Sequence, residues 1–272
     1  MDRVLFIPIR LSDHRMWAGI PDRLAGRAEV SHLDQITDAT WEVSGAVAVA
    51  AARAVRPDGW DVVAAAGNSG PPAVALAAAG LARGIMLIEP EIPFDRIPDD
   101  VDLSLDVPDH DVLAPYVPLA DALDTADPDQ WRDIVADTVL QTSPAGVPPA
   151  ELQLALAIAV DHAAEMRAEL QAFAAANAAE RELPDETQWA RLQARGEWLD
   201  RLAALSVPVV TAVPYRATYL AQTLASIVER ARTVIIDTTI GPPSTPATRD
   251  QIATEISRLL DDISAARQQG AR

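Results

Sequence analysis

Short runs of apolar residues alternate along the chain with longer stretches in which alanine and polar residues recur at helical spacing. Continuous apolar runs bounded by turn residues are typical of strands that are buried on both faces. Strands are predicted at residues 4–9, 28–33, 61–66, 85–88, 207–213 and 233–237. Helices are predicted at residues 16–25, 43–55, 71–83, 216–231 and 246–266. This alternation predicts an α/β fold, a mostly parallel sheet covered by helices on both faces.

The alternation breaks after the fourth predicted strand. Residues 89–118 are rich in proline and acidic residues, a composition that disfavours regular structure. Helices follow at residues 119–125, 128–140, 149–178 and 186–204, and only then do strands return. The sequence therefore predicts a core made of residues 1–89 and 206–272, with a helical cap inserted at residues 90–205.

Composition excludes several kinds of chemistry. The chain has 272 residues, of which 49% are hydrophobic, so it is long enough to bury a sizeable core. It has no cysteine, which excludes disulfides, a thiolate nucleophile and a cysteine-based metal site. It also has no lysine, which excludes Schiff-base chemistry and phosphate binding by a P-loop. We expect neither a metal nor a cofactor.

Charge limits the partners that the chain can bind. The formal net charge of −18 at pH 7 repels phosphate backbones and anionic lipid surfaces. We therefore expect no nucleic-acid and no membrane partner, and a small molecule as substrate or ligand; a homodimer is compatible with the sequence. The N-terminal apolar run is too short for a signal peptide, and no run reaches the roughly 18 residues of a spanning helix, which predicts a cytoplasmic protein.

The third predicted strand runs into a tight turn with the sequence GNSGP, residues 67–71. A strand, this turn and a helix resemble the nucleophile elbow of the α/β-hydrolase family, whose pattern is GxSxG. The resemblance implies that Ser69 is the nucleophile in a strained turn and that the Gly70 N–H is an oxyanion donor. Asn68 is the variable residue between Gly67 and Ser69 in this motif. Pro71 replaces the last glycine. A plain strand-to-helix turn is the alternative.

The resemblance extends over nearly the whole chain. The order of strands, cap and returning sheet is that of the family, and residues 4–17 are similar to its first-strand segment. In that register Pro8 and Ile9 replace the family's His-Gly, and Arg10 takes the place of the residue whose N–H completes the oxyanion hole. The guanidinium of Arg10 could then hold a carboxylate, an enolate or an oxyanion. The alternative is a surface arginine paired with Asp13.

The catalytic partners of the family's serine are not at their usual places. The family has an acid after a late strand and a histidine after the last strand. Here no acidic residue follows residues 207–213 until Glu229, and no histidine follows residues 233–237. A serine hydroxyl is a weak nucleophile without a base.

Other residues are candidates for the missing base and acid. His162 borders the apolar stripe of a cap helix, and His14 lies in the loop after the first strand; both are candidates for the base or for ligand binding, against packing and local turn roles. His110 could reach the mouth of the pocket, whereas His32 belongs to a strand. Glu89 and Glu91 follow the fourth strand, where a triad carboxylate can stand, although such a residue is more often only solvated.

Two functions therefore stay open. The first is an enzyme acting on a small apolar ester, acyl or carbonyl compound, by a rearranged triad of Ser69, His162 and Glu91 or by acid/base or cyclisation chemistry. In it Gly70, Arg10, Ile9, Asn68 and His14 would bind the oxyanion or the ligand. The second is a non-catalytic protein that binds a small molecule or a partner. In both, we expect the main cavity between Ser69, Arg10, residues 89–94 and the helices of residues 119–204, with apolar walls.

Overall fold

One parallel sheet forms the centre of the molecule. The computed structural model describes residues 1–33, 41–93, 96–97, 117–143, 147–181, 183–214, 218–228, 230–237 and 245–270. The strands are β1 Asp2–Ile7, β2 Ala28–His32, β3 Val62–Ala66, β4 Ile85–Ile88, β5 Val209–Pro214 and β6 Arg232–Ile236. All of their pairings are parallel, in the order β2-β1-β3-β4-β5-β6. This confirms the predicted α/β sheet, with strand ends within about two residues of the prediction.

Helices follow the strands at most crossings. They are α1 Ile20–Leu24, α2 Trp41–Val55, α3 Gly70–Ala78, α4 Val117–Ala122, α5 Pro128–Thr142, α6 Pro149–Asp161, α7 Ala163–Arg181, α8 Asp185–Ala203, α9 Thr218–Ile227 and α10 Pro246–Gly270. Short 3-10 turns lie at His14–Trp17 and Gly67–Ser69. α3 ends earlier than predicted, because Gly80 adopts a left-handed conformation with φ of 72° shortly after it.

The two faces of the sheet bury different helices. Side chains alternate along a strand, so Leu5 and Ile7 face one core while Val4 and Phe6 face the other. The first core is completed by α2, α3, α8 and α9, and the second by α1 and α10. Both faces of the sheet are therefore covered, as the apolar strands predict.

The inserted helices have a small core of their own. Leu119, Leu123, Trp131, Val135 and Ala163 join α4, α5 and α7 in one buried cluster. α8 was also expected in the cap, but Trp198, Leu199 and Leu202 at its end belong to the core on the sheet. The boundary at residue 205 stays a prediction, and part of α8 packs with the core rather than with the other inserted helices.

The predicted helix of residues 149–178 is two helices. α6 ends at Asp161, α7 begins at Ala163, and His162 lies between them with φ of −96° and ψ of 7°. No glycine or proline marks this break in the sequence. The junction places His162 at the carboxyl edge of the sheet, over the loop that follows β1.

Candidate functional site

A cleft opens at the carboxyl edge of the sheet, between the loop after β1, the start of α3 and the junction of α6 with α7. It encloses roughly 400 Å³, including the solvent at its mouth. Its lining residues are Ile7, Pro8, Ile9, Arg10, Leu11, Ser12, Leu33, Ser69, His162 and Glu165. Ser69, Arg10 and the inserted helices thus meet here as expected, whereas residues 89–93 do not line this cleft and Phe94 lies outside the described residues.

Ser69 ends the 3-10 turn that joins β3 to α3. Its φ of −84° and ψ of 4° lie outside the left-handed region, so the unusual backbone of this turn is not at Ser69. The left-handed residue is Gly67, with φ of 52°. The side chain of Ile9 covers Gly67 so closely that a Cβ there would lie 2.7 Å from Ile9 Cδ1. Glycine is needed at position 67 for both reasons.

The Ser69 hydroxyl donates to the backbone. Its Oγ lies 2.5 Å from the carbonyl oxygen of Pro8, and the residue is only 6% exposed. No nitrogen of a described histidine is bonded to it. The hydroxyl proton is therefore held by a carbonyl, which is not a base.

The two backbone donors expected to form the oxyanion hole are also engaged. The N–H of Gly70 donates to Gly67 O within the turn. The N–H of Arg10 donates to Asn68 Oδ1 at 2.9 Å. Asn68 thus fastens the loop after β1 to the turn, and the N–H of Ile9 points to Met16 Sδ at 3.1 Å. Within the part of the chain that the structure describes, no preformed oxyanion hole stands at Ser69.

The guanidinium of Arg10 pairs with the insertion. Its Nε lies 2.9 Å from Glu169 Oε2 on α7, and its side chain is 28% exposed. Asp13, the partner expected in the alternative interpretation, bonds instead to Arg15 and His162. Arg10 therefore lines the cleft with a carboxylate beside it.

Glu91 stands near this pair, after β4. Solvent reaches the residue, yet desolvation by the surrounding protein raises the pKa of its carboxyl. The negative charge of Glu169 raises the pKa further, while Arg10 opposes the shift. The charges that affect the Glu91 carboxyl are thus those of Arg10 and Glu169.

His162 is held between two carboxylates. Its Nε2 lies 3.2 Å from Asp13 Oδ2, and its Nδ1 contacts Glu165 on the next turn. The residue is 8% exposed. Burial lowers the pKa of His162, but the hydrogen bonds to Glu165 and Asp13 outweigh it and raise the pKa. Both nitrogens are occupied, so His162 does not act on Ser69 in this arrangement.

Asp13 is itself fixed by Arg15. It accepts from the Arg15 N–H at 2.8 Å and from Arg15 Nη2 at 2.6 Å, and Arg15 Nη1 reaches Asp161 at 2.7 Å. Burial raises the pKa of Asp13, but the bonds from Arg15 and His162 dominate and lower it strongly. Asp13, Arg15, Glu165 and Glu169 were not selected from the sequence as site residues. Residues 162, 165 and 169 are spaced to share one face of a helix, and this spacing could have indicated that Glu165 and Glu169 lie near His162.

The remaining candidates lie elsewhere. His14 is exposed and its ring lies 5.7 Å from that of His32, which stacks on Phe6 at 5.7 Å; neither histidine lines the cleft. His110 and Glu229 lie outside the described residues. Glu89 has a left-handed backbone with φ of 50°, uncommon for a residue with a side chain, and its N–H donates to Ala212 O at 2.8 Å.

The described residues contain no cluster of three or more side chains suited to a metal ion. Among the same residues, every helix is either too short or too polar to cross a membrane.

Comparisons with known proteins identify the fold. No protein-family profile and no curated protein sequence matches the chain. Among solved structures, a haloalkane dehalogenase loop variant from Bradyrhizobium elkanii superposes with a TM-score of 0.66 at 18% identity, over 98% of this chain and 91% of that chain. A thermophilic esterase from Thermogutta terrifontis gives a TM-score of 0.56 at 13% identity, over 97% and 90% of the two chains.

A third structure carries the family's own description. An α/β hydrolase from Sphaerobacter thermophilus superposes with a TM-score of 0.50 at 18% identity, over 95% of this chain and 92% of that chain. This chain therefore has the α/β-hydrolase fold, as the order of strands and the turn at residues 67–71 predict. At these identities the similarity is one of fold.

Proposed function

We propose that this protein is an enzyme of the α/β-hydrolase fold that acts on a small ester, acyl or carbonyl compound by proton transfer. His162 supplies the proton, and no acyl-Ser69 intermediate forms. The observation that carries this proposal is that three hydrogen-bond donors needed for covalent catalysis are each bonded to another group of the protein. The Ser69 hydroxyl, the Arg10 N–H and the Gly70 N–H each donate to another group of the protein.

Several energy costs oppose acylation of Ser69. Freeing the three donors would cost roughly 1.5 to 4.5 kcal/mol in all, at about 0.5 to 1.5 kcal/mol for each hydrogen bond. A rate falls about tenfold for each 1.4 kcal/mol. The missing histidine after β6 costs more, on the order of 10⁴ to 10⁶ in the rate of a serine enzyme. With these losses, attack by the Ser69 hydroxyl would be little faster than attack by water.

His162 has the properties of an acid at the cleft. An imidazole that contacts two carboxylates can donate to both only as an imidazolium, and these bonds raise the pKa of His162. The contact to Asp13 is long, at 3.2 Å, and Asp13 keeps its bonds from Arg15 if His162 turns to a ligand. A carbonyl or leaving-group oxygen in the cleft can therefore accept the Nε2 proton and leave a neutral imidazole bonded to Glu165. In ester cleavage a water molecule forms the new bond to the acyl carbon as the bond to the leaving group breaks, and the neutral imidazole then takes up the proton that this water releases.

Arg10 selects the substrate in this proposal. Its guanidinium lines the cleft and is balanced by Glu169, so an anionic or strongly polarised oxygen of the ligand would compete with that carboxylate. Charge-assisted bonds to arginine favour carboxylates and enolates. The substrate class is therefore a small carbonyl compound that carries, or develops, negative charge on oxygen.

The test combines binding with turnover. We would screen small esters, keto acids and other carboxylates for thermal stabilisation of the protein, and follow the hits by NMR for chemical change. Turnover is expected to survive in Ser69→Ala and to be lost in His162→Gln, with His14→Gln as the matched histidine control. Loss of turnover in Ser69→Ala with full turnover in His162→Gln would overturn the proposal.

A non-catalytic binding protein is the second candidate. It is favoured by the same internal pairing, because Ser69 and Arg10 then hold the loop after β1 against the turn, and the Gly70 N–H closes the turn itself. In that case the screen yields ligands that stabilise the protein but remain chemically unchanged at long incubation. The cleft would be the same, and Arg10→Gln would still weaken binding.

A further inference from the structure

The loop after β1 and the junction of α6 with α7 are joined by a chain of charged contacts. In the described residues it runs from Asp161 to Arg15, from Arg15 to Asp13, and from Asp13 to His162, which also contacts Glu165. Asp161, His162 and Glu165 belong to the insertion, whereas Asp13 and Arg15 belong to the core. The sheet edge and the inserted helices are thus connected at the cleft.

We propose that Asp13, fixed by Arg15, is the positioning residue that holds the His162 imidazole beside the cleft and in its charged form. Asp13 does not line the cleft. It acts through His162, and the inference rests on the proposed function only in taking that histidine as the acid.

Arg15 removes the freedom of the Asp13 carboxylate. The carboxylate receives the Arg15 backbone N–H and side-chain bonds from Nε at 2.9 and 3.0 Å and from Nη2 at 2.6 Å. A bidentate guanidinium fixes both the position and the plane of a carboxylate. The Nη1 bond to Asp161 then ties the same arginine to the residue before His162. Asp13 cannot turn away from His162 without breaking several of these bonds.

The two carboxylates on His162 are not equivalent. Glu165 lies on the helix of His162 itself, and its side chain is 54% exposed. The Asp13 side chain is 16% exposed and belongs to the core. Contacts screened by water are weak and mobile, whereas partly buried ones hold their geometry. The orientation of His162 relative to the sheet edge, and hence to Ser69, is therefore set by Asp13.

Charge at His162 follows from the same geometry. Asp13, Glu165 and Asp161 are negative and Arg15 is positive, so the described groups around the ring carry a net negative charge. An opposite charge within about 4 to 6 Å favours the charged form of a titrating group. A neutral imidazole has a single N–H and would lose one of the two carboxylate bonds.

The experiment observes the histidine ring directly and needs no ligand. The full chain is labelled with ¹⁵N, its histidine rings are followed by long-range ¹H–¹⁵N correlation as a function of pH, and His162→Gln assigns the signal. In the wild type, both ring nitrogens of His162 should be protonated at pH 6.5, and its midpoint should lie above about 6.5, the unperturbed value. A midpoint at or below that value overturns the proposal, whichever variants fold.

Two variants separate positioning from simple stability. Asp13→Asn keeps the shape of the side chain and removes its charge, so the His162 midpoint should fall clearly below that of the wild type. Asp161→Asn removes a carboxylate that contacts Arg15 but not His162, and it should leave the midpoint nearly unchanged. Equal midpoints in Asp13→Asn and the wild type would overturn the proposal, even if Asp13→Asn melts at a lower temperature.

The outcome is independent of the proposed function. If His162 responds to Asp13 as expected while no compound of the screen is turned over, the positioning role stands and the enzyme proposal fails. If turnover depends on His162 but the midpoint of its titration is unchanged in Asp13→Asn, the enzyme proposal stands and the positioning role fails.

Discussion

The Ser69 hydroxyl illustrates how a partner decides the chemistry of a residue. It donates a hydrogen bond to the Pro8 carbonyl oxygen, and Ser69 is almost closed to solvent. A hydroxyl that donates a hydrogen bond to a carbonyl oxygen gains no nucleophilicity, because the carbonyl is too weak a base to remove the proton. At position 69 the hydroxyl therefore stabilises the junction of β1 with the turn before α3.

This role predicts a stability loss in Ser69→Ala. The Pro8 carbonyl loses its donor in a buried position, so the free energy of unfolding should fall by about 1 kcal/mol or more. Ser12→Ala is the control, since Ser12 lines the same cleft and is more exposed. Urea denaturation measures both variants. A Ser69→Ala protein as stable as Ser12→Ala would mean that the Pro8 contact contributes nothing.

Arg10 and Glu169 should affect binding in opposite directions. Arg10→Gln removes the cation and should lower the affinity for a carboxylate found in the screen about ten- to a hundredfold, since such a bond contributes about 1.5 to 3 kcal/mol. Glu169→Gln removes the competing anion, 2.9 Å from Arg10 Nε, and should raise that affinity. Titration calorimetry measures both. Changes below about fivefold in both variants would remove Arg10 from the site.

At the scale of elements, the turn between β3 and α3 depends on close contact with the loop after β1. Gly67 has both a left-handed backbone and Ile9 directly against it. α6 is in turn tied to α10, because Glu151 and Arg249 form an ion pair whose side chains are 15% and 10% exposed. The elements around the cleft are therefore joined to the sheet core by specific side-chain contacts.

Gly67→Ala tests the close contact of the turn. The substitution adds a left-handed alanine, which costs about 1 to 2 kcal/mol, and a Cβ that clashes with Ile9, which costs about 1 to 3 kcal/mol more. Gly80→Ala carries the same kind of backbone cost, with φ of 72°, but its Cβ meets nothing within 4 Å. The difference between their unfolding free energies should therefore exceed about 1 kcal/mol. Equal losses would show that Ile9 moves aside freely.

The ion pair between α6 and α10 predicts a second difference. Glu151→Gln leaves Arg249 largely buried without its carboxylate, so the protein should lose up to about 3 kcal/mol. Asp250→Asn, whose partner Arg23 is on the surface, should lose less than about 1 kcal/mol. Thermal denaturation of both variants measures the two stability losses. Equal small losses would show that Arg249 is satisfied without Glu151.

Elements differ in how far the sequence predicts them. β4 is predicted to the residue because an apolar run between turns leaves one arrangement that buries it. The break at His162 could not be predicted, since no glycine or proline marks it and its partner Asp13 is 149 residues away. The same limit applies to Ser69. The GNSGP turn predicts its place at the sheet edge, but the bond to Pro8 depends on a residue 61 positions earlier, just after β1.

At the scale of the whole molecule, acidic groups outnumber basic ones, and the titration of a few paired groups shapes stability. The pKa of Asp13 is lowered in the folded state, so its contribution is present above about 3.8 and is lost as the pH falls through the folded pKa. The pKa of His162 is raised, so its contribution is complete below about 6.5 and is lost as the pH rises through the folded pKa. The contact between them should be strongest between these limits.

Stability should therefore fall from pH 6 to pH 9 in a way that depends on His162. The wild type loses the stabilisation of the imidazolium over this range, whereas His162→Gln has none to lose. Urea denaturation at several pH values gives both curves, and their difference should shrink as the pH rises. Parallel curves for the two proteins would show that His162 titrates alike in the folded and unfolded states.

If Ser69 is a hydrogen-bond donor and not a nucleophile, the protein should not react with a fluorophosphonate at this residue. Such reagents phosphonylate a serine that an adjacent base activates and leave ordinary serines unmodified. After incubation of the intact protein with excess reagent, mass spectrometry should find the unmodified mass, with no adduct on the peptide that contains Ser69. A stoichiometric adduct on Ser69, absent in Ser69→Ala, would contradict the account and show that a base reaches this hydroxyl.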